Sequence, residues 1–184
     1  MSGIGEHIET SNKKIALLIA ILALALAISE TLGKAAQTST LALNIEASNL
    51  WSFFQAKTIR GTTLRTAAEA LDADPVRGSA PEAKAQVEAW KKTAARYDSE
   101  PETGEGRREL SQRAKEAEAR RDHALAAYHQ FELASGAVQI AIVLASATII
   151  TGANALAWLA GALGATGVLF TLMGLFAPTA LHLF

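Results

Sequence analysis

The sequence contains no cysteine, and this single absence removes several kinds of chemistry. Disulfide bonds, thiolate metal sites and cysteine nucleophiles are all excluded. Histidine is scarce as well, and the four histidines are His7, His123, His129 and His182. His123 and His129 are six positions apart, a spacing that does not place two imidazoles on one helical face. We therefore expect no metal site and no cofactor.

Charge is missing from two long apolar stretches, and they indicate the class of protein. Residues 15–29 and 134–176 contain no Asp, Glu, Lys or Arg. A helix needs about 20 apolar residues to cross the roughly 30 Å of hydrocarbon in a membrane. The first stretch is therefore a marginal single span, and the second is long enough for two. The sequence predicts an all-α protein with three transmembrane helices.

The first stretch has a second interpretation. Lys13 and Lys14 precede the apolar run, as basic residues precede the apolar core of a secretory signal. We favour a retained span. It reaches Gly33 if Glu30 lies at the membrane interface and pairs with Lys34, one turn beyond it.

Turn residues divide the second stretch. Residues 151–154 read Thr-Gly-Ala-Asn, its one break with turn chemistry, and Pro178 ends the last span. The predicted segments are a polar N-terminal segment (1–13), a first transmembrane helix (14–33), an extramembrane helical domain (34–133), two further transmembrane helices (134–151 and 155–177) and a C-terminal tail (178–184).

The extramembrane domain has the four-three spacing of apolar positions that is typical of coiled coils. Three sets follow this spacing: Leu43, Ala47, Leu50, Phe54, Lys57, Gly61, Leu64, Ala68 and Leu71; Ala83, Val87, Trp90, Ala94 and Tyr97; and Leu110, Ala114, Ala117, Arg121, Ala124, Tyr128 and Phe131. The third set continues into the apolar stretch through Ser135, Val138, Ile142, Ala145 and Ile149. We therefore predict one continuous helix from about Arg107 to Ile150.

Two breaks separate the helices of this domain. Residues 72–79 contain Pro75 and Gly78, and Ser79 is the predicted cap of a helix that opens at Pro81. Residues 98–106, here called the acidic segment, are predicted to form a loop. The expected arrangement is an antiparallel coiled-coil hairpin between the first and second spans.

Small residues recur at helical spacing in the spans, where they let helix backbones approach closely. Two rows are present: Ala153, Ala157, Gly161 and Ala165 on the third span, with Ala160 and Gly164 beside it, and Ala16, Ala20, Ala23 and Ala27 on the first. Two interpretations stay open. The rows pack the molecule's own three spans together, or they form a seam between subunits.

A polar face interrupts the apolar pattern of the extramembrane domain. Glu46, Leu50, Phe53, Lys57 and Arg60 share one side of the predicted helix. The two cations could bind an acidic partner or a lipid phosphate. We favour an ionic contact that fixes helix alignment, with glutamates of the returning arm such as Glu109 or Glu116 opposite Lys57.

The acidic segment has part of the spacing of a calcium loop. Asp98, Glu100, Glu102 and Glu109 occupy the first, third, fifth and twelfth positions. Thr103 stands where such a loop needs glycine. We therefore predict a solvated loop without calcium.

Several of these residues resemble the bacterial membrane family known as domain of unknown function 4337. The resemblance rests on two patches: Glu46-Ala47, Trp51, Gln55-Ala-Lys57 and Arg60; and residues 97–106 followed by Glu109-Leu110, Arg113-Ala114 and Arg121-Asp122. It implies the same order of span, helical domain and two closing spans, and a bacterial inner-membrane location. It implies no activity.

Orientation is predicted from the charges that flank the spans. Lys13 and Lys14 favour a cytoplasmic N-terminus and hence a periplasmic domain, whereas Lys34, Arg120 and Arg121 favour the opposite. Relatives in the family often carry basic residues between the last two spans, and this sequence has none there. The resemblance therefore favours a periplasmic domain.

The pattern as a whole indicates a non-enzymatic protein. A net charge of −1 gives no broad field for nucleic acid, and no catalytic constellation is recognisable. No ionisable residue is expected at the middle of the membrane, so a coupled transporter is not favoured. We expect an integral membrane scaffold or accessory subunit, with the lipid bilayer, copies of itself and a larger membrane complex as partners. The alternatives are a homo-oligomeric channel and, less directly, a carrier of apolar ligands.

Overall fold

The computed structural model describes the backbone of residues 2–180 and the side chains of residues 12–180. It contains four α-helices: α1 (Ser2–Asp72), α2 (Pro81–Asp98), α3 (Arg107–Thr151) and α4 (Asn154–Phe176). A 3₁₀ turn at Pro178–Ala180 follows, and no strand occurs in this part of the chain. The all-α prediction is confirmed. His7, His182 and most of the predicted tail (178–184) lie outside the described side chains.

The helix boundaries follow the sequence pattern closely. The continuous helix predicted from Arg107 to Ile150 is α3, which ends at Thr151. In α1, the backbone of the predicted polar segment (1–13) is helical from Ser2 and continues without a break to Asp72. Three of the described helices, α1, α3 and α4, are long and apolar enough to cross a membrane.

The turns have identifiable causes. Gly152 separates α3 from α4 with a positive φ of 68°, a backbone conformation that glycine adopts without steric cost. After α1, Asp74 Oδ1 accepts hydrogen bonds from the N–H groups of Val76 and Arg77, both at 2.9 Å. These bonds favour the ionised carboxylate and lower the pKa of Asp74.

The start of α2 corrects one prediction. Ser79 does not cap this helix, because its hydroxyl donates back to the carbonyl oxygen of Pro75 at 3.2 Å. Ala80 occupies the N-cap position without a side-chain hydrogen bond, and Pro81 follows in the first turn. Proline suits that position because its missing N–H would have no helical partner there.

The chain forms two compact units. We call Met1–Thr40 with Arg121–Phe184 the apolar unit and Leu41–Arg120 the polar unit. The core of the apolar unit consists of Ile15, Leu22, Val138, Ala141, Ala145 and Ala160. Each of its helices contributes to this core. The three apolar segments therefore pack on one another.

Contacts between these segments fix their directions. Leu22 lies against Gly164, and the hydroxyls of Ser29 and Thr171 share a hydrogen bond of 2.8 Å, so α1 and α4 run parallel. In α3 the order is reversed, since Val138 lies against Gly167 and Phe131 lies against Gly174. Helix α3 is therefore antiparallel to α4 within this unit.

The small residues of the spans divide into two groups. Ala160, Gly164, Gly167 and Gly174 are buried, and each of the three glycines receives a side chain from a neighbouring helix. The predicted row Ala153, Ala157, Gly161 and Ala165 is exposed or half-buried, and no described atom outside the local helix backbone lies within 4 Å of the position a Cβ would take at Gly161. The row Ala16, Ala20, Ala23 and Ala27 is exposed as well. A subunit seam along either row stays a prediction.

The polar unit is built from parts of α1 and α3 together with α2. Its core contains Ala47, Leu50, Leu110, Ala114 and Ala117, with Trp51 and Phe54 packed against it. Across the three predicted heptad sets, each position is buried or half-buried except Ile149, which is 41% exposed. The four-three spacing therefore identified the faces that point inward.

Candidate functional site

The polar face of α1 ties this helix to α3 at two points. Arg120 Nη2 donates to Glu46 Oε1 at 3.0 Å, and Trp51 Nε1 donates to Glu118 Oε1 at 2.8 Å. The Trp51 ring also stands edge-on to Phe54, with 5.4 Å between ring centroids. These hydrogen bonds set the alignment of α1 along α3.

Lys57 is the most enclosed charge on the face. Its ammonium group lies 3.8 Å from both Glu100 Oε2 and Glu105 Oε2, and 5.0 Å from the centre of the Tyr97 ring. Its side chain is only 12% exposed. The cation is therefore held between two carboxylates and an aromatic face.

The predicted partners of Lys57 are wrong. Glu109 accepts hydrogen bonds from residues of the acidic segment, and Glu116 accepts one from Gln112 of its own helix at 3.0 Å. The acidic segment instead supplies both carboxylates that reach Lys57. The cause is the start of α3 at Arg107, which leaves the preceding residues free to fold over α1.

Two polar residues of the first resemblance patch take no part in this arrangement. The side chains of Gln55 and Arg60 are exposed, and neither forms a hydrogen bond or an ion pair with the described residues. They are available to solvent or to a partner.

The acidic segment is a loop, as the sequence predicted, but most of its carboxylates are paired with cations. Asp98 accepts a hydrogen bond from Arg107 Nη1 at 3.3 Å and forms ion pairs with Arg108 Nη2 at 3.1 Å and Arg65 Nη2 at 4.0 Å. Glu100 pairs with Arg96 at 3.4 Å as well as with Lys57. These cations come from α1, α2 and α3, so the segment holds the three helices together.

Three of the four acidic side chains at calcium-loop positions have other partners. Asp98, Glu100 and Glu109 are held by arginine, lysine or hydrogen-bond donors, and Glu102 is exposed. Among residues 12–180, no group of three or more His, Asp or Glu side chains could hold a metal ion.

Glu109 fastens the segment to the start of α3. Its Oε1 accepts from the Ser99 hydroxyl at 2.7 Å, and its Oε2 accepts from the N–H of Glu100 at 3.2 Å. The Ser99 hydrogen bond is the main reason that the pKa of Glu109 is lowered, and backbone N–H groups and Arg108 act in the same direction. The carboxylate also lies in the first turn of α3, where the helix dipole favours negative charge.

Lowering the pH is therefore expected to destabilise the polar unit, because Glu109 becomes protonated. A lowered folded-state pKa gives stability that is present above the ordinary pKa and is lost as the pH falls through the folded-state value. Thermal unfolding followed by circular dichroism should show a falling midpoint below about pH 4. Glu109→Gln should flatten this dependence, and Glu116→Gln should leave it as in the wild type. Equal pH profiles for the wild type and Glu109→Gln would contradict the assignment.

A groove of about 520 Å³ adjoins the polar face. Apolar side chains of Ile45, Leu50 and Phe53 line it, and Glu105 and Arg113 stand at its edge. Its walls present no hydroxyl or imidazole, so a nucleophile with an adjacent base is not assembled there. The groove has the composition of a binding surface.

The sequence did not identify Arg65, Arg107, Arg108 and Glu118 as members of this site. The signal for Arg107 and Arg108 was their position directly after an acidic loop, and Arg65 and Glu118 had no such signal. Charge alternation of this kind is common on exposed helices, so it does not by itself indicate which residues meet.

Comparison with known proteins gives one match. Neither the curated proteins nor the solved structures contain a match to this chain. The family described as domain of unknown function (DUF4337) matches residues 11–177, which include the three apolar segments and both patches on which the resemblance rests. This chain therefore belongs to the DUF4337 family.

Proposed function

We propose that this protein is a non-enzymatic membrane scaffold or accessory subunit. Its apolar segments anchor it, and its polar unit presents a helical surface to copies of itself within a larger membrane complex. The observation that carries this proposal is a second apolar face on α1. Leu41, Ile45 and Ile59 are 60%, 61% and 67% exposed.

This second face lies opposite the core of the polar unit. At 100° per residue, Leu41, Ile45 and Ile59 fall within about 40° of one another, and Ala47 and Leu50 point to the other side. Leu41 and Ile45 lie one turn apart, and Ile59 lies roughly 21 Å beyond Ile45 with small residues between them. We take exposed apolar side chains on one side of a charged helix as a surface for a partner. Covering them would contribute about 25 cal/mol per Å² of apolar surface removed from water.

The ionic contacts support the same function. The acidic segment joins α1, α2 and α3 through Asp98, Glu100 and the Ser99 hydroxyl, which donates to Glu109. A surface held in place before binding loses less conformational entropy when the partner arrives. The coiled-coil hairpin predicted for residues 34–133 belongs to this proposal, and the burial of its heptad positions supports it.

The proposed location is the bacterial inner membrane, with the polar unit in the periplasm. Lys13 and Lys14 support it, because basic residues next to a span favour the cytoplasmic side. Val76 is 83% exposed, and a cysteine placed there would be the only one in the chain. A thiol reagent that does not cross membranes is expected to label it once the outer membrane is permeabilised. Labelling only after the inner membrane is broken would place the unit in the cytoplasm.

The scaffold proposal predicts that charge on the second face weakens assembly. In the double variant Ile45→Glu with Ile59→Glu, like charges would meet in the contact, and the native mass in detergent should fall. Light scattering coupled to size-exclusion chromatography measures that mass. Val76→Glu makes the same exchange at an exposed site outside the face and should not change it. An unchanged mass and unchanged co-purifying proteins in the double variant would refute the proposal.

A further inference from the structure

Glu30 and Gln139 form a polar pair on the outside of the apolar unit. Gln139 Nε2 donates to Glu30 Oε1 at 3.3 Å, and both side chains are exposed. Glu30 therefore pairs with Gln139 of α3 and not, as the sequence predicted, with Lys34 of its own helix. The pair joins two of the three apolar segments.

Contacts with α4 give the depth of this pair in the membrane. Helix α4 is free of charge, and its 23 residues span about 34 Å, close to the thickness of the hydrocarbon layer. Its middle lies near Gly164, which contacts Leu22, so Leu22 lies near the midplane. Glu30 is eight positions further along α1, which places its Cα roughly 12 Å from the midplane.

Gln139 lies on α3, which runs antiparallel to α1 and α4. Val138 lies against Gly167, which places Gln139 within roughly 5 Å of the midplane. Helical side chains lean toward the N-terminus of their own helix, so the antiparallel Glu30 and Gln139 side chains lean toward each other. Their hydrogen bond lies roughly 5–10 Å from the midplane, inside a half-thickness of about 15 Å.

A polar pair at this depth needs further hydrogen-bond partners, which lipid cannot provide. The bond between them leaves one carboxyl oxygen of Glu30, and the amide oxygen and second N–H hydrogen of Gln139, with capacity for further bonds. Hydrocarbon offers no donor or acceptor, and exposed polar groups at this depth are costly. Polar residues inside membranes accordingly face protein or water.

We propose that a second copy of this chain covers the Glu30–Gln139 pair. Two copies of this pair are complementary, because Gln139 of each copy supplies donors and Glu30 of each copy supplies acceptors. A two-fold axis would place Gln139 of one copy against Glu30 of the other, as in isologous dimers. Hydrogen bonds between membrane helices stabilise such association. This inference rests on the proposed self-association and identifies its contact within the membrane.

Cysteine cross-linking tests this contact directly, because the chain has no cysteine of its own. Ala27 is exposed and lies one turn before Glu30 on the same side of α1. In native membranes treated with an oxidant, Ala27→Cys is expected to form a disulfide-linked dimer. Leu169→Cys, at similar depth on the exposed side of α4, is the matched control and should cross-link several-fold less.

A second set of variants tests the role of the polar pair. In the Ala27→Cys background, Glu30→Leu is expected to lower the cross-linked fraction about three- to tenfold, in line with the strength of membrane hydrogen bonds. Glu30→Gln keeps a hydrogen-bonding side chain and should stay within about twofold of the parent. A cross-linked fraction that Glu30→Leu does not change would overturn the proposal.

Other results would contradict the dimer contact at Glu30 and Gln139, and they point to different alternatives. Cross-linking at Ala165→Cys without cross-linking at Ala27→Cys would place the seam on α4 and overturn this contact. Labelling of Gln139→Cys by a water-soluble thiol reagent would show that water covers the pair, as in a channel, and would overturn it too. If Ala27→Cys fails to cross-link while the native mass stays oligomeric, this contact is refuted and the scaffold proposal survives. A monomeric wild type refutes both.

Discussion

Replacing Gly167 with leucine is expected to disrupt the apolar unit, whereas the same change at Gly161 should leave its fold intact. A Cβ at Gly167 would collide with Val138 and approach the carbonyl oxygen of Ala134 at 3.0 Å. The backbone oxygen cannot move aside without shifting α3. Overpacking of a tight site costs about 1–3 kcal/mol for a few added methylenes, and leucine at this position should reach the upper end.

The two glycines make a matched pair because the same side chain is added to the same helix. At Gly161 no described atom outside the local helix backbone lies within 4 Å of the added Cβ, so the leucine would meet open space. Unfolding in a titration with a denaturing detergent should show a lower midpoint for Gly167→Leu only. Equal midpoints would show that α4 does not pack as described.

The Gly161→Leu variant also tests the row that the sequence proposed as a subunit seam. If Ala153, Ala157, Gly161 and Ala165 face another subunit, the leucine should lower the native mass without lowering the stability of the unit. If the seam lies at Glu30 and Gln139, the mass should stay unchanged.

Reversing the charge of Lys57 is expected to destabilise the polar unit by about 1–3 kcal/mol, because it brings like charges together in a half-buried site. Lys57→Glu would place a third carboxylate beside Glu100 and Glu105, which lie 3.8 Å from the native ammonium group. Lys57→Met should cost less, because its side chain still packs on Tyr97 and Glu100 keeps Arg96. Thermal unfolding followed by circular dichroism measures the difference.

Arg60→Glu is the control for this series. Arg60 lies one turn beyond Lys57 on α1 and is exposed, so reversing its charge should change stability by less than about 0.5 kcal/mol. If Lys57→Glu and Arg60→Glu unfold at the same temperature, the acidic segment does not hold the helices in the way described.

The helices could be predicted from the sequence because their causes are local. The four-three spacing identified the inward faces of α1, α2 and α3, and turn residues such as Pro81 and Gly152 marked boundaries. The continuity of α3 followed from a pattern that passes from charged into apolar sequence without changing register.

The contacts could not be predicted, because spacing determines a face and not its neighbour. Lys57 was placed correctly at an inward position, but its partners come from a loop whose path depends on Arg65, Arg107 and Arg108. On α4 the sequence offered several small-residue rows, and adjacent rows differ by only about 100° of helix rotation. Which row faces inward depends on side chains of other helices, such as Leu22 and Val138.

The glycine contacts of α4 also determine which aromatic rings point away from the other helices. Because Gly164, Gly167 and Gly174 turn one side of the helix toward its neighbours, Trp158 and Phe176 project from the other side, each 82% exposed. These rings lie about five turns apart, near the two ends of α4, a placement that suits aromatic anchors at the two surfaces of a membrane. A rotation of α4 would swing both rings against neighbouring helices, so the internal packing of α4 also fixes the direction of its aromatic rings.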